Sequence, residues 1–225
     1  MARFVSLFLF AFVLVASALP AHAQMAYVYA VHGIPGANGF PADIAVDGNC
    51  AVTGFTFGNV GGPLSLSAGT HFVQVFAANT TNPCTGSPAL TASPNLMAGK
   101  TYALAAHLTA AGDPTLSGFE LNLSRTSPGA GRFIVHHTAA APCVTVGVAR
   151  GDNTNRAVQI PNFCNGSQVP AEFRPGGWNI TLSLDGSPVF GPTLVTLKPK
   201  TAQLIFAVGV FPDTFTYIVK TIPIM

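Results

Sequence analysis

Charge is what this sequence lacks most. Only 8% of its 225 residues are Asp, Glu, Lys or Arg, and 10 basic against 8 acidic side chains leave a net charge of +2. A soluble domain ordinarily carries about 25% charged residues. So few cations cannot build the clustered basic surface that a phosphate backbone needs, which excludes nucleic acid as a partner. The small net charge, combined with 49% hydrophobic residues, also excludes a disordered chain. Capped helical periodicity is missing after residue 23. No Cys-x-x-Cys and no Cys/His zinc spacing occurs, so thioredoxin-like redox chemistry and zinc fingers are excluded. No Gly-x-Ser-x-Gly occurs either, which removes the nucleophile elbow of a hydrolase.

What is present begins with an address. Arg3 is followed by an apolar stretch from Phe4 to Ala18, a helix-breaking Pro20 and the small-x-small site Ala21-His22-Ala23. That is the pattern of a cleaved secretory signal peptide over residues 1–23. No Cys follows the apolar stretch to take a lipid, and no later segment is long enough to be a transmembrane helix. Removing residues 1–23 takes away one Arg and no acid, so low charge belongs to the mature chain.

The mature chain reads as β-structure. The 23 Gly and 18 Pro imply many turns. Trp178, Ile180, Leu182 and Leu184 alternate with Asn179, Thr181 and Ser183, the period of a half-buried strand. Asp185-Gly186 follows as a turn, and Asp47-Gly48-Asn49 separates two further strands as a hairpin. Weak internal similarity pairs Tyr29–His32 with Phe133–His136, His71–Val75 with Trp178–Leu182, and Ala98–Leu104 with Lys198–Leu204. These matches run in the same order along the chain. They predict two tandem antiparallel Ig-like β-sandwich domains, 24–124 and a diverged 132–225, of about seven strands each and joined by a linker at 125–131. An outer-membrane barrel fits less well, because its strands need about 9–11 residues and these are shorter and broken by Pro.

Export gives meaning to the four cysteines, Cys50, Cys84, Cys143 and Cys164. Three connectivities are open to them. The domain map places two in each half, which favours Cys50–Cys84 and Cys143–Cys164 as staples stabilising by about 3–4 kcal/mol each.

Val31-His32-Gly33-Ile34-Pro35-Gly36 is followed by Ala42-Asp43-Ile44-Ala45-Val46-Asp47-Gly48, then by Phe57-Gly58, Leu64–Thr70 and Ala98-Gly99-Lys100-Thr101-Tyr102. This succession, over residues 26–123, resembles the bacterial and archaeal domain of unknown function family 4397. The resemblance implies an exported Ig-like module, often in tandem and associated with the cell surface, with no established reaction. The second half departs from it, with His136-His137-Thr138 in place of the glycine-rich loop. Gly33 and Gly36 allow backbone angles closed to other residues and Pro35 restricts its own, so Gly33, Pro35 and Gly36 predict a fixed loop of the kind that binds ligands.

The histidines are the main candidates for chemistry. His32 and His136 fall at equivalent positions by the similarity above, and a copper or zinc site would use His32 with His136 or His137. Hydrogen bonding of these imidazoles to loop backbone is the structural alternative. His136 and His137 are adjacent on a strand and point to opposite faces. Asp43 and Asp47 suggest a calcium pair, although calcium takes more oxygens than two carboxylates supply. Phe72 and Phe76 share the strand face opposite Val73 and Val75, which predicts an inter-domain or partner interface. The expected function is that of a non-enzymatic, cofactor-free binding or scaffold protein, periplasmic or at the cell surface, whose partner is an envelope protein or a glycan. Periplasmic copper or zinc handling and surface glycan binding are the alternatives.

Overall fold

The computed structural model describes residues 25–36, 39–151 and 158–224. The expected signal peptide at 1–23 lies outside the described residues. The described residues form eighteen strands and no α-helix, and no helix among them is long and apolar enough to cross a membrane.

The first half contains β1 (Met25–His32), β2 (Ala42–Val46), β3 (Asn49–Phe55), β4 (Val60–Ser67), β5 (Gly69–Thr70), β6 (Val73–Ala77), β7 (Leu90–Ala92), β8 (Asn95–Leu96), β9 (Thr101–Leu108) and β10 (Pro114–Glu120). The second contains β11 (Gly131–His137), β12 (Val144–Arg150), β13 (Val158–Phe163), β14 (Gln168–Phe173), β15 (Gly176–Leu184), β16 (Ser187–Leu197), β17 (Thr201–Val208) and β18 (Thr216–Pro223). The first sandwich packs sheet β10-β9-β1-β4 against sheet β3-β2-β6-β7, and the second packs β18-β17-β11-β14 against β13-β12-β15-β16. The two strand orders correspond member for member. In both, the first strand pairs parallel with a late one, β1 with β9 and β11 with β17, while the other pairs are antiparallel.

Both expected Asp-Gly turns form, with Asp47 and Gly48 at φ +50° and +78° and Asp185 and Gly186 at +49° and +80°. β16 was not legible as a strand, because Pro188, Gly191 and Pro192 interrupt it; it lies at a sheet edge, where proline is tolerated.

Hydrogen bonds fix how the halves superpose. Gly33 N–H donates to Ala106 C=O, and Thr138 N–H donates to Ala207 C=O. His32 C=O accepts from Gly58 N–H, and His137 C=O from Gly166 N–H. Tyr29 pairs with Ala103, and Ile134 with Leu204. The sequence similarity, which set Tyr29 on Phe133 and His32 on His136, is therefore one residue out of register on β11. A one-residue slip moves every side chain to the opposite face. His32 corresponds to His137, and His136 corresponds to Val31.

Three large apolar cores, and a smaller one of Ile34, Ala106, Leu108 and Ala140, form among the described residues. Val28, Ile44, Val46, Val73, Tyr102 and Leu104 fill the first sandwich. Phe133, Val135, Val146, Val148, Ile180 and Leu182 fill the second. The third lies between the sandwiches: Tyr29, Val31, Ala103, Ala105 and Phe119 of the first half meet Ile134, Leu204, Phe206, Val208 and Ile218 of the second. β9 is consequently buried along all eight residues, although its sequence alternates like a half-exposed strand. Its two faces are core faces of different composition, bulky toward the sandwich and Ala-rich toward the neighbour.

Polar contacts seal the rim of this interface. Gln168 Nε2–H donates to Glu120 C=O at 2.9 Å, and Asn165 Nδ2–H to Leu108 C=O at 2.8 Å. Arg132, 4% exposed, donates through Nη1 to the carbonyls of Asn122 (2.7 Å) and Ser124 (2.8 Å). Its Nη2 pairs with Glu172 at 2.5 Å, and Glu172 also accepts from Ser127 N–H and Oγ–H. The Ser127 hydrogen bonds and the Arg132 guanidinium hold the Glu172 carboxyl below the usual carboxylate range. The connecting segment is thus tied down at Asn122, Ser124 and Ser127 by side chains of the second half.

Candidate functional site

The end of β1 carries the candidate site. His32 is the last residue of the strand, and Gly33-Ile34-Pro35-Gly36 leaves the sheet there. Gly36 has φ +73°, which requires glycine or a strained substitute. Gly33 is selected differently: a Cβ there would come within 2.8 Å of Val208 Cγ1, so it permits close approach of the second sandwich. Pro35 is half-buried, and Ile34 packs with Ala106, Leu108 and Ala140. Gly39 was not singled out by the sequence, yet a Cβ on it would collide with the Ile34 carbonyl. Its signal was the Asn38-Gly39 pair, a turn dipeptide.

A cleft of about 370 Å³ opens beside this loop. Its walls include His32, Ile34, Phe40, Ala42, Leu90 and Ala106. Their side chains are apolar apart from the imidazole. His32 is 4% exposed, its Nε2–H donates to Phe40 C=O at 2.9 Å, and its Nδ1 has no partner. Phe55 and Phe57 flank the ring at centroid distances of 6.1 and 6.4 Å.

The other histidines occupy separate environments. His136 is fully buried in the inter-sandwich core, stacked on Phe206 at 4.0 Å with Phe119 edge-on at 4.9 Å. Its ring nitrogens meet Ile205 C=O at 3.3 Å and Gln168 Oε1 at 2.8 Å, and burial pushes its pKa down to about 4 against those bonds. His137 faces the second sandwich's interior beside Phe163; its Nε2–H donates to Pro142 C=O at 3.1 Å and burial lowers its pKa. His107 is held by Leu108 C=O and Ser117 Oγ, and burial lowers its pKa too. The structure does not bring His32, His136 and His137 together, and among the described residues no three His, Cys, Asp or Glu side chains cluster to hold a metal.

The two aspartates also part company. Asp43 is 1% exposed and accepts from Gly54 N–H (2.9 Å), Asn79 N–H (2.9 Å) and Cys84 N–H (3.2 Å). Burial raises its pKa, but the three donors outweigh burial and the net shift is downward. Asp47 instead accepts from Phe72 N–H at 2.8 Å and pairs with His71 Nδ1 at 2.6 Å. The backbone donor, then the imidazole, lowers the Asp47 pKa. His71 also donates to Ser67 C=O at 2.7 Å, and both acceptors, led by that carbonyl, raise its pKa against burial. Asp43 therefore anchors the loop that Cys84 staples, and Asp47 with His71 clips a turn to the β4–β5 corner.

Both disulfides form as the domain map favoured, Cys50–Cys84 with Cα atoms 5.6 Å apart and Cys143–Cys164 with 4.1 Å. Phe76 is buried, while Phe72 is 46% exposed. The face carrying Phe72 and Phe76 is not the inter-sandwich contact, which is made by the other sheet. A second exposed apolar surface lies between edge strands β16 and β18, where Leu194 (67% exposed) and Val219 (45%) border an open groove.

A family model described as Domain of unknown function (DUF4397) matches residues 26–147. The match runs past the first sandwich, through β11 and into β12. No curated protein matches the chain.

Proposed function

The chain belongs to the Domain of unknown function (DUF4397) family, and from that premise we propose that it is a non-enzymatic, exported binding and scaffold protein of the cell envelope or extracellular space. The observation that carries this reading is the cleft at the end of β1, a mainly apolar hollow of about 370 Å³ whose one polar side chain is His32, set on a doubly packed frame. Ligand sites are typically apolar concavities of this size with a few placed polar groups. Two disulfides with no free cysteine among the described residues suit an oxidising compartment, in keeping with the signal-peptide pattern at 1–23. The histidines support structural roles, since each described imidazole has a protein acceptor or donor within hydrogen-bonding distance.

The test uses the mature chain, immobilised and exposed to envelope extract and to a glycan array. Wild-type protein retains a defined component, and an Ala89→Trp variant, which fills the cleft from an exposed wall position, loses it. Retention unchanged by Ala89→Trp would place the binding surface elsewhere. Stoichiometric copper or zinc in the purified protein, lost on His32→Ala, would replace this reading with metal handling.

A further inference from the structure

We propose that the open edge of the second sandwich, between β16 and β18, takes an extended segment of a partner protein as an added β-strand, apolar at alternate residues and acidic at one end. This surface is formed by other strands than the cleft at β1 and goes beyond the binding role proposed for that cleft. β16 and β18 each end a sheet, so each has one side without a neighbouring strand. The groove between them measures about 580 Å³. Ile218 and Ile222 of β18 turn to the inter-sandwich core, and strand alternation turns Tyr217 and Val219 the other way, toward the second sandwich's own interior. Val219 is nevertheless 45% exposed.

The main chain of β16 specifies a strand as the occupant. From Thr193 to Leu197 it pairs regularly with β15. Gln203 Nε2–H reaches the Thr196 carbonyl at 2.6 Å from the opposite sheet, so that carbonyl points away from β15. In an antiparallel pair the N–H and C=O of a residue share a side, and every second residue repeats it. The N–H of Thr196 and both main-chain groups of Leu194 therefore face the open side, a template for another strand. Pro188 and Pro192 confine the template to Thr193–Leu197, about 17 Å of strand. Alternate residues of the added strand fall on Tyr217 and Val219, which selects apolar side chains there. Lys198 is the one charged side chain in the wall of the groove, which selects an acid at that end. Neither β16 nor β18 contains Asp or Glu, so a second copy of this edge supplies no such acid.

The first sandwich contains the closed form of the same edge. Its counterparts in the strand order are β7 and β10. β7 has only three residues, and its Leu90 packs with Leu116 of β10 on one apolar cluster. The strand order is common to both halves, and the second keeps a long edge open where the first brings its two sheets together.

The experiment titrates the mature protein with a soluble peptide that alternates Val with Thr and ends in Glu, followed by calorimetry and by the backbone amide resonances. Two further forms carry the same side chains, one N-methylated at every Val and the other at every Thr, so that each loses the donors along one edge of the strand. The unmethylated peptide is expected to bind and to move the Leu194 and Thr196 amides. One methylated form keeps that affinity, and the other loses at least tenfold, the equivalent of one hydrogen bond or more. Val219→Lys, a change at an exposed position, abolishes binding, and Lys198→Glu turns the preference toward a Lys-ended peptide. Ala89→Trp leaves the peptide bound, which separates this surface from the cleft. Equal affinity of the two methylated forms, or no binding of the unmethylated peptide, overturns the proposal. A wild-type dimer in sedimentation that Val219→Lys dissociates also overturns it, because the groove then belongs to a second copy.

Discussion

In the first sandwich β9 turns Ala103 and Ala105 toward its neighbour; in the second, β17 answers with Leu204 and Phe206. On these two strands one half supplies a shallow face and the other the bulk above it, while Tyr29 and Phe119 of the first half add bulk beside the alanines. The sandwiches differ at their ends as well. An aromatic group, Phe190, Phe211, Phe215 and Tyr217, with centroids 4.7 to 6.1 Å apart, closes the second. The corresponding end of the first is left open beside His32. The two sandwiches thus share one strand order and differ at this end, closed by aromatic rings in the second and open as a cleft in the first.

Phe206→Ala should break that division most severely. It empties a fully buried site and removes the ring stacked on His136, at about 3–5 kcal/mol. Trp178, the only tryptophan, lies in the second sandwich and reports its unfolding, whereas far-UV circular dichroism follows both. Coincident transitions that shift together mean that the halves are one cooperative unit. Fluorescence and dichroism midpoints that separate in wild type would mean that the interface does not couple them.

Acid should act on the same interface. His136 is neutral when folded, with its pKa pushed to about 4, while an unfolded histidine titrates near 6.5. The unfolded state therefore binds a proton first, so stability falls as pH drops below about 6.5 and stops falling once pH is below the folded value. The loss attributable to this ring is about 3 kcal/mol. Denaturation of His136→Phe across pH 4–7 is expected to show a shallower acid slope than wild type; an unchanged slope would assign acid sensitivity elsewhere.

Arg132→Met should loosen the connection between halves. The carbonyls of Asn122 and Ser124 lose their charged donor, at about 2 kcal/mol. Amide exchange should rise first across Asn122–Gly131, and uniform change over both sandwiches would contradict a local tether. The smallest effect belongs to the first sandwich alone. His71 has a raised pKa, so the contribution of its contacts to Asp47 and Ser67 is complete below about 6.5 and is lost as pH rises through the folded value. His71→Asn should remove this alkaline decline, by about 1 kcal/mol, and in one cooperative unit the Trp178 fluorescence transition shifts together with the dichroism; a shift in dichroism alone would mean that the first half unfolds separately.

Much of this molecule was legible because strands and turns obey local rules. The alternation on β15 and the Asp-Gly turns need only neighbouring residues to be read, and the two-by-two cysteine division needs only the order of the similar segments along the chain. β16 escaped because its prolines and glycine resemble loop signals, and only an edge position accommodates them. The candidate site was half legible. His32 and Gly36 stood out by type, but Gly33 has its reason in Val208, far along the chain, and the histidine pairing slipped by a residue. Similar letters aligned Tyr29 with Phe133, whereas the hydrogen-bond ladder aligns Tyr29 with Ile134.

The amino-acid sequence by itself determined an all-β chain with its turns, its cysteine division and its poverty of charge, because these follow from residue type and period. Tertiary structure decided which faces met. A face of β1, β9, β11 or β17 carries no mark saying whether it is covered by its own sandwich or by the next one; coverage is a property of the assembled sheets. Burying both faces of those strands is what removes the need for charge there, and leaving one end of one sandwich uncovered is what turns a common histidine into a candidate site.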